Sequence, residues 1–284
     1  VLFVDSRLLS AKTSNPHPLL TSIKNPLLII AMTAANLINP VEASTFSEVP
    51  SSDITIRRAN ERGVGDHGWL DSRFTFSFAD YHDLRHMGFR DLRVINDDRV
   101  APGRGFGMHP HNDMEIFSYV LEGTLEHKDS MGHGRQLQRG EIQLMSAGTG
   151  ISHSEFNPSR EEGLHFLQIW IKPRQRGIEP RYTEWRPSAE QKGATKVLVI
   201  SPDGREGSAV IAQDAEVYRI RLKPGETVNH DLATGRAVWL QIAEGSVELN
   251  GLDLDEGDGA STEKSGRLTL KARKPTEALL FDLP

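Results

Sequence analysis

The chain has 284 residues, 37% hydrophobic and 25% charged, enough apolar mass for one large or two ordinary soluble domains. Its net charge of −6 argues against a broad nucleic-acid-binding surface. It contains no cysteine, which excludes disulfides, thiolate nucleophiles, iron–sulfur clusters and cysteine-type zinc sites, so any metal must be held by nitrogen and oxygen.

Residues 1–52 stand apart from the rest. Their only acids are Asp5, Glu42 and Glu48. The apolar run within residues 25–44 is too short and too interrupted for a membrane span. With Lys24 ahead of it and Val41, Glu42 and Ala43 behind, it has the layout of a signal-peptide core, and a transit segment or unstructured leader would read the same. The stretch is expected to lie outside the fold. Without a targeting role for it, the cysteine-free composition fits a reducing cytoplasm.

From Ile54 onward the pattern is β. Phe74, Phe76 and Phe78 alternate in RFTFSF. LRVIND, IFSYVLEG, GTLEHKD, EIQLMS and LHFLQIWIKP follow, split by Gly, Asn, Asp and Pro, a rhythm that predicts a β-sandwich or barrel. Residues 173–195, rich in Pro, Arg, Lys and Glu, read as a connection between domains. After it come KVLVIS, EVYRIRLKPG, AVWLQIAEGSVELNG, RLTLKA and ALLFDLP. Both halves contain an apolar strand that ends in Glu-Gly, at Glu122–Gly123 and Glu244–Gly245, and continues into a second strand. That repetition predicts two related β domains, residues 53–172 and 196–284.

Chemistry concentrates in the first half. GRGFGMHPHNDMEI carries His109 and His111 two apart, and alone such a pair is as compatible with a polar loop as with a metal site. GEIQLMSAGTGISHSEFN then supplies His153 and Glu155, again two apart. On a strand, residues i and i+2 share a face, about 7 Å apart, and neighbouring strands lie about 4.8 Å apart. If the two strands are adjacent, His109, His111, His153 and Glu155 converge. Three imidazoles and a carboxylate suit one divalent first-row metal and leave coordination positions open, the mark of a catalytic centre. Glu115, four residues past His111, would share that face on an unbroken strand and competes with Glu155 as the carboxylate ligand.

The two motifs resemble the cupin signatures. Gly103, His109, His111 and Glu115 follow the first, with the closing Gly123 one residue late. Gly150, His153 and Asn157 follow the second, without its usual proline. GWLDSRFTFSFADY, MGFRDLRVINDD, YVLEGTLEHKDSMGH, MSAGTGISHSEFNP and LQIWIKP together are similar to bacterial pirins over about residues 54–284. That resemblance implies an all-β bicupin of two jelly-roll barrels, of which the first bears the metal. It assigns His109, His111, His153 and Glu155 as ligands, favouring Glu155 over Glu115. Iron, as Fe(II), is the family's usual metal, with nickel, copper, manganese, cobalt or zinc as substitutes. The second domain offers only His230 at the corresponding turn and is expected to be metal-free, with His230 at the surface.

Several bacterial pirins are quercetin 2,3-dioxygenases, so the resemblance implies cleavage of a flavonol with O₂ to a depside and carbon monoxide, with Glu155 as general base. Phe106, Phe117 and Phe156 are candidates to line an aromatic pocket, though each suits a core position as well. The other reading is a non-enzymatic metal-binding regulator acting through protein partners. Neither requires nucleic acid or membrane, and a monomer is expected.

Overall fold

The computed structural model describes residues 46–284, so the leader predicted for residues 1–52 lies outside the described residues up to position 45. Twenty-two strands, three short 3₁₀ turns and one α-helix, Ala189–Gly193, make up the described chain. None of its helices is long and apolar enough to cross a membrane.

The strands form two seven-stranded and two four-stranded sheets. In the first half, the larger sheet runs Arg181–Trp185, Ile142–Ser146, Glu115–Glu122, Leu164–Ile171, Leu92–Val100, Leu70–Phe74 and Gly63–Asp66. The smaller sheet runs Gly105–His111, Ile151–Phe156, Thr124–Asp129 and Gly134–Gln138. The second half repeats this plan with Thr227–Leu232, Gly266–Ala272, Ser246–Leu249 and Leu252–Asp255 as its smaller sheet. The predicted duplication thus appears in strand order as well as in the turns. Gly123 and Gly245 take φ 77° and 84°, a left-handed conformation that side chains other than glycine's rarely adopt. A Cβ there would also sit 2.5 Å from the Gly163 carbonyl and 2.1 Å from that of Pro275.

Each barrel buries its own interior. Leu70, Val100, Val120, Leu125, Leu137 and Phe166 fill the first, and Val49, Ile220, Leu240, Leu254, Leu270 and Leu280 fill the second. A further apolar cluster belongs to both. Phe117, Leu144 and Ile169 of the first large sheet pack into one core with Val199, Val217, Trp239, Leu279 and Phe281 of the second. Phe117 is fully buried there, among core residues and away from the histidine strands.

Two segments depart from the boundaries drawn from sequence. Within residues 173–195, Arg181–Trp185 pairs with Ile142–Ser146 and forms the edge of the first large sheet, with buried Trp185 anchoring it. Ser188 then caps the short helix by accepting from Gln191 N. At the other boundary, Thr55–Arg57 pairs with Gly259–Thr262 of the second half, Glu48 bridges to Arg267, and Val49 is buried in the second barrel. Pairing between residues some two hundred positions apart leaves no local periodic signal.

Candidate metal centre

Gly105–His111 and Ile151–Phe156 are antiparallel neighbours, with His109 opposite His153 and His111 opposite Ile151. The register slips between His153 and Glu155, which faces Phe106. Within that irregular stretch the Gly107 carbonyl lies 2.7 Å from His109 Nδ1. A carbonyl only accepts, so Nδ1 carries the proton and His109 Nε2 keeps a free lone pair. His111 Nε2 and His153 Nε2 are 3.0 Å apart. One candidate ligand nitrogen from each of His109, His111 and His153 lies within 4.8 Å of the other two.

His153 is fully buried, and its Nδ1 has no hydrogen-bond partner; His109 and His111 are half-buried. Burial first, then the neighbouring imidazoles His153 and His109, pushes His111 down to about 3. Burial and His109 push His153 down to about 3, against an opposing pull from Asp129. Both rings are therefore neutral at pH 7, the state in which imidazole binds a metal.

Glu155 lies beside the cluster but is not one of its three converging members. Its carboxylate is buried, with Oε1 accepting from Ser118 Oγ at 2.5 Å and Oε2 accepting from Gln168 Nε2. Burial raises its pKa, while Ser118, His127, His109 and Gln168 pull the other way. A buried carboxylate of this kind is stabilised in its charged form by a nearby cation. Three nitrogen donors, a buried oxygen donor and a half-open face together fit a single divalent transition-metal ion.

Glu115 is elsewhere. The chain turns after His111, with Asp113 at φ 48°, and Glu115 begins a strand of the opposite sheet. There it accepts from Ser146 Oγ at 2.7 Å and from Ala212 N at 3.0 Å. The same-face expectation assumed an unbroken strand, and the strand ends at His111. His230 is not at the surface as expected. It is 5% exposed and bonded on both ring nitrogens, so it is a buried residue of the second barrel.

Three residues that the sequence motifs do not mark complete the surroundings. Ser118 and Gln168 hold Glu155 as described. His127 faces Glu155 across the strand pair, with its ring 5.3 Å from that of His153. It is buried, neither nitrogen has a partner, and burial pushes it down to about 4. Each is a polar residue at an inward position of a β-strand, and that is the signal that could have flagged it.

On the outer side, an opening of about 330 Å³ is lined by Pro110, His111, Asn112, Ser130, Gly150, Ile151 and Ser152. Trp170 stands edge-on to His111 at 4.8 Å between ring centroids. Phe106 packs edge-on against Trp69 at 5.4 Å, and Phe156 is 37% exposed.

The Pirin family profile matches residues 56–171, and that of the quercetinase C-terminal cupin domain matches residues 198–283. A protein of Escherichia coli (strain K12) named quercetin 2,3-dioxygenase is 53% identical over 231 residues, spanning 81% of this chain and 99% of the relative. A putative quercetin 2,3-dioxygenase of Pasteurella multocida is 43% identical over 234 residues, spanning 81% and 99%. Among solved structures, the bacterial pirin YhhW from Escherichia coli in complex with nickel(II) superposes with a TM-score of 0.77 at 52% identity, covering 81% of this chain and 99% of that one. From its paired barrels, its histidine cluster and these relatives, the chain belongs to the pirin family.

Proposed function

We propose that this chain is a metal-dependent dioxygenase that cleaves a flavonol such as quercetin with O₂ to a depside and carbon monoxide. His109, His111, His153 and Glu155 hold one divalent ion, with Fe(II) as the expected metal. The observation that carries this reading is the convergence of three imidazoles, two of them held neutral, beside an opening to solvent. A bound ion would supply Lewis acidity toward an enolised oxygen and a template for substrate.

The protein's own groups supply the rest. The opening at His111 is at the small end of the volume range for ligand pockets. Glu155 takes the proton of the flavonol hydroxyl. Burial makes its carboxylate more basic than a solvated one, as a general base near neutral pH needs to be. Ser118 and Gln168 hold its two oxygens in place. His109 is kept in one tautomer by Gly107.

Oxygen uptake and carbon monoxide release with quercetin, on protein loaded in turn with Fe, Ni, Cu, Mn and Co, test the reading. Turnover that depends on metal supports it. Absence of uptake with every ion overturns the enzymatic reading and leaves the regulator.

A further inference from the structure

The described second barrel lacks a histidine cluster, but the corresponding mouth holds a polar constellation. Thr227–Leu232 occupies the place in its small sheet that Gly105–His111 occupies in the first. Val228 and Leu232 belong to the second barrel's core, so His230 between them points inward. Tyr218 joins the same core, and Asp282 continues the inward face of Ala278 and Leu280. Lys196 pairs with inward-facing Ile220 across the neighbouring strand.

These side chains form a chain of contacts. Lys196 Nζ lies 2.9 Å from His230 Nδ1, 3.2 Å from the Asn229 carbonyl, and 4.6 Å above the centre of the Tyr218 ring. His230 Nε2 lies 2.9 Å from Asp282 Oδ2, and Arg236 Nε donates to Asp282 Oδ1 at 2.6 Å. A carboxylate at Nε2 fixes the proton there, so Nδ1 presents its lone pair to the amine. This is the geometry of an activated nucleophile: nucleophile, base, and a third group that orients the base.

We propose that Lys196 is the amine nucleophile of a second site at the mouth of the second barrel, with His230 as its base and Asp282 orienting that base, taking small neutral aldehydes. The ammonium gives one proton to His230 Nδ1. The free amine adds to the aldehyde carbon, forming a carbinolamine, and the proton returns from His230 to its hydroxyl. Water leaves, and the protonated imine remains on Lys196. The half-buried position of Lys196 restricts the electrophile to a small one. The acids around it disfavour an anionic one: Asp282, Asp231 and Glu216 all face the amine. Each has a cationic partner, Arg236 for Asp282, Arg267 for Asp231 and Arg205 for Glu216. Tyr218 adds its hydroxyl, which donates to Glu216. Burial lowers the Lys196 pKa against the pull of those acids, which raises the share of free amine at neutral pH.

The experiment treats the whole chain with propanal and cyanoborohydride, which reduces the imine to a stable secondary amine, and maps modified lysines by peptide mass spectrometry. Lys196 is expected to be modified several-fold faster than exposed Lys192, Lys223, Lys264 and Lys274, with an advantage that shrinks as pH rises toward 10. His230→Gln and Asp282→Asn should remove the advantage while near-ultraviolet circular dichroism stays native. Parent Lys196 reacting no faster than the exposed lysines overturns the site, whether or not a variant folds. A fast Lys196 that is indifferent to His230→Gln overturns the relay.

Discussion

Replacing Glu155 with glutamine separates its chemistry from its packing. The carboxylate accepts from Ser118 Oγ and from Gln168 Nε2, and Ser118 Oγ also lies 3.2 Å from Gln168 Oε1. A glutamine amide fits this arrangement. Its oxygen takes the place of Oε2, and its NH₂ donates to Ser118 Oγ, whose proton swings to Gln168 Oε1. No buried polar atom is orphaned, and a buried charge is removed. The metal-free variant should therefore stay within about 1 kcal/mol of the parent. The loss in turnover should be that of a missing general base, about 10²- to 10⁴-fold in kcat. The assay is oxygen uptake with quercetin at matched metal content, beside urea unfolding of both metal-free proteins. A kcat within tenfold of the parent refutes the assignment of Glu155 as base. A loss of several kcal/mol with the metal absent refutes the hydrogen-bond exchange.

Asp97 is held by His165 at 2.7 Å, Arg62 at 3.1 Å and Arg99 at 3.0 Å, with Arg62 itself buried. Asp97→Asn leaves Arg62 uncompensated and should cost about 3 kcal/mol in urea unfolding. Burial alone would raise the Asp97 carboxyl, but the His165 hydrogen bond and the Arg62, His165 and Arg99 charges outweigh it and lower it to about 2. Because this folded-state pKa lies below the unfolded one, about 2 kcal/mol of stability is present above pH 4 and lost as pH falls toward 2. Acid titrations of parent and Asp97→Asn should converge there, and parallel curves would contradict it. His127→Leu removes two unpartnered buried nitrogens but also the stacking on Tyr182. It should leave thermal stability unchanged or raise it by about 1 kcal/mol, whereas a loss above about 2 kcal/mol would mean the ring is hydrogen-bonded. Chelation of protein held at a hundredfold excess of metal over Kd should lower unfolding free energy by about 2.7 kcal/mol, and an unchanged melting curve would argue against a bound ion.

The histidines were legible because their spacing survives in the structure: the alternation in His109-x-His111 and the position of His153 need only two adjacent strands. Glu115 stayed an open competitor of Glu155 because alternation carries no information about where a strand stops, and the turn at Asp113 moves it to the other sheet. Ser118, His127 and Gln168 carry no motif. They are recognised only once burial shows that a polar residue sits where the barrel interior would otherwise be apolar. Pro and Arg density made residues 173–195 look like a tether, although the short alternation in RYTEW already contained an edge strand. The seat of Thr55–Arg57 in the second sheet was out of reach, since nothing near it in sequence names Gly259–Thr262 as its neighbour.

The apolar cluster that joins the two large sheets has a consequence for how the molecule comes apart. Phe117 and Phe281, with ring centroids 6.4 Å apart, are fully buried and come from opposite halves. Either half alone would present its share of that cluster to water as a contiguous apolar face. The half that carries the histidine cluster is therefore not a detachable module. Both halves should melt in one transition, and whatever steadies the histidine strands steadies the second barrel as well.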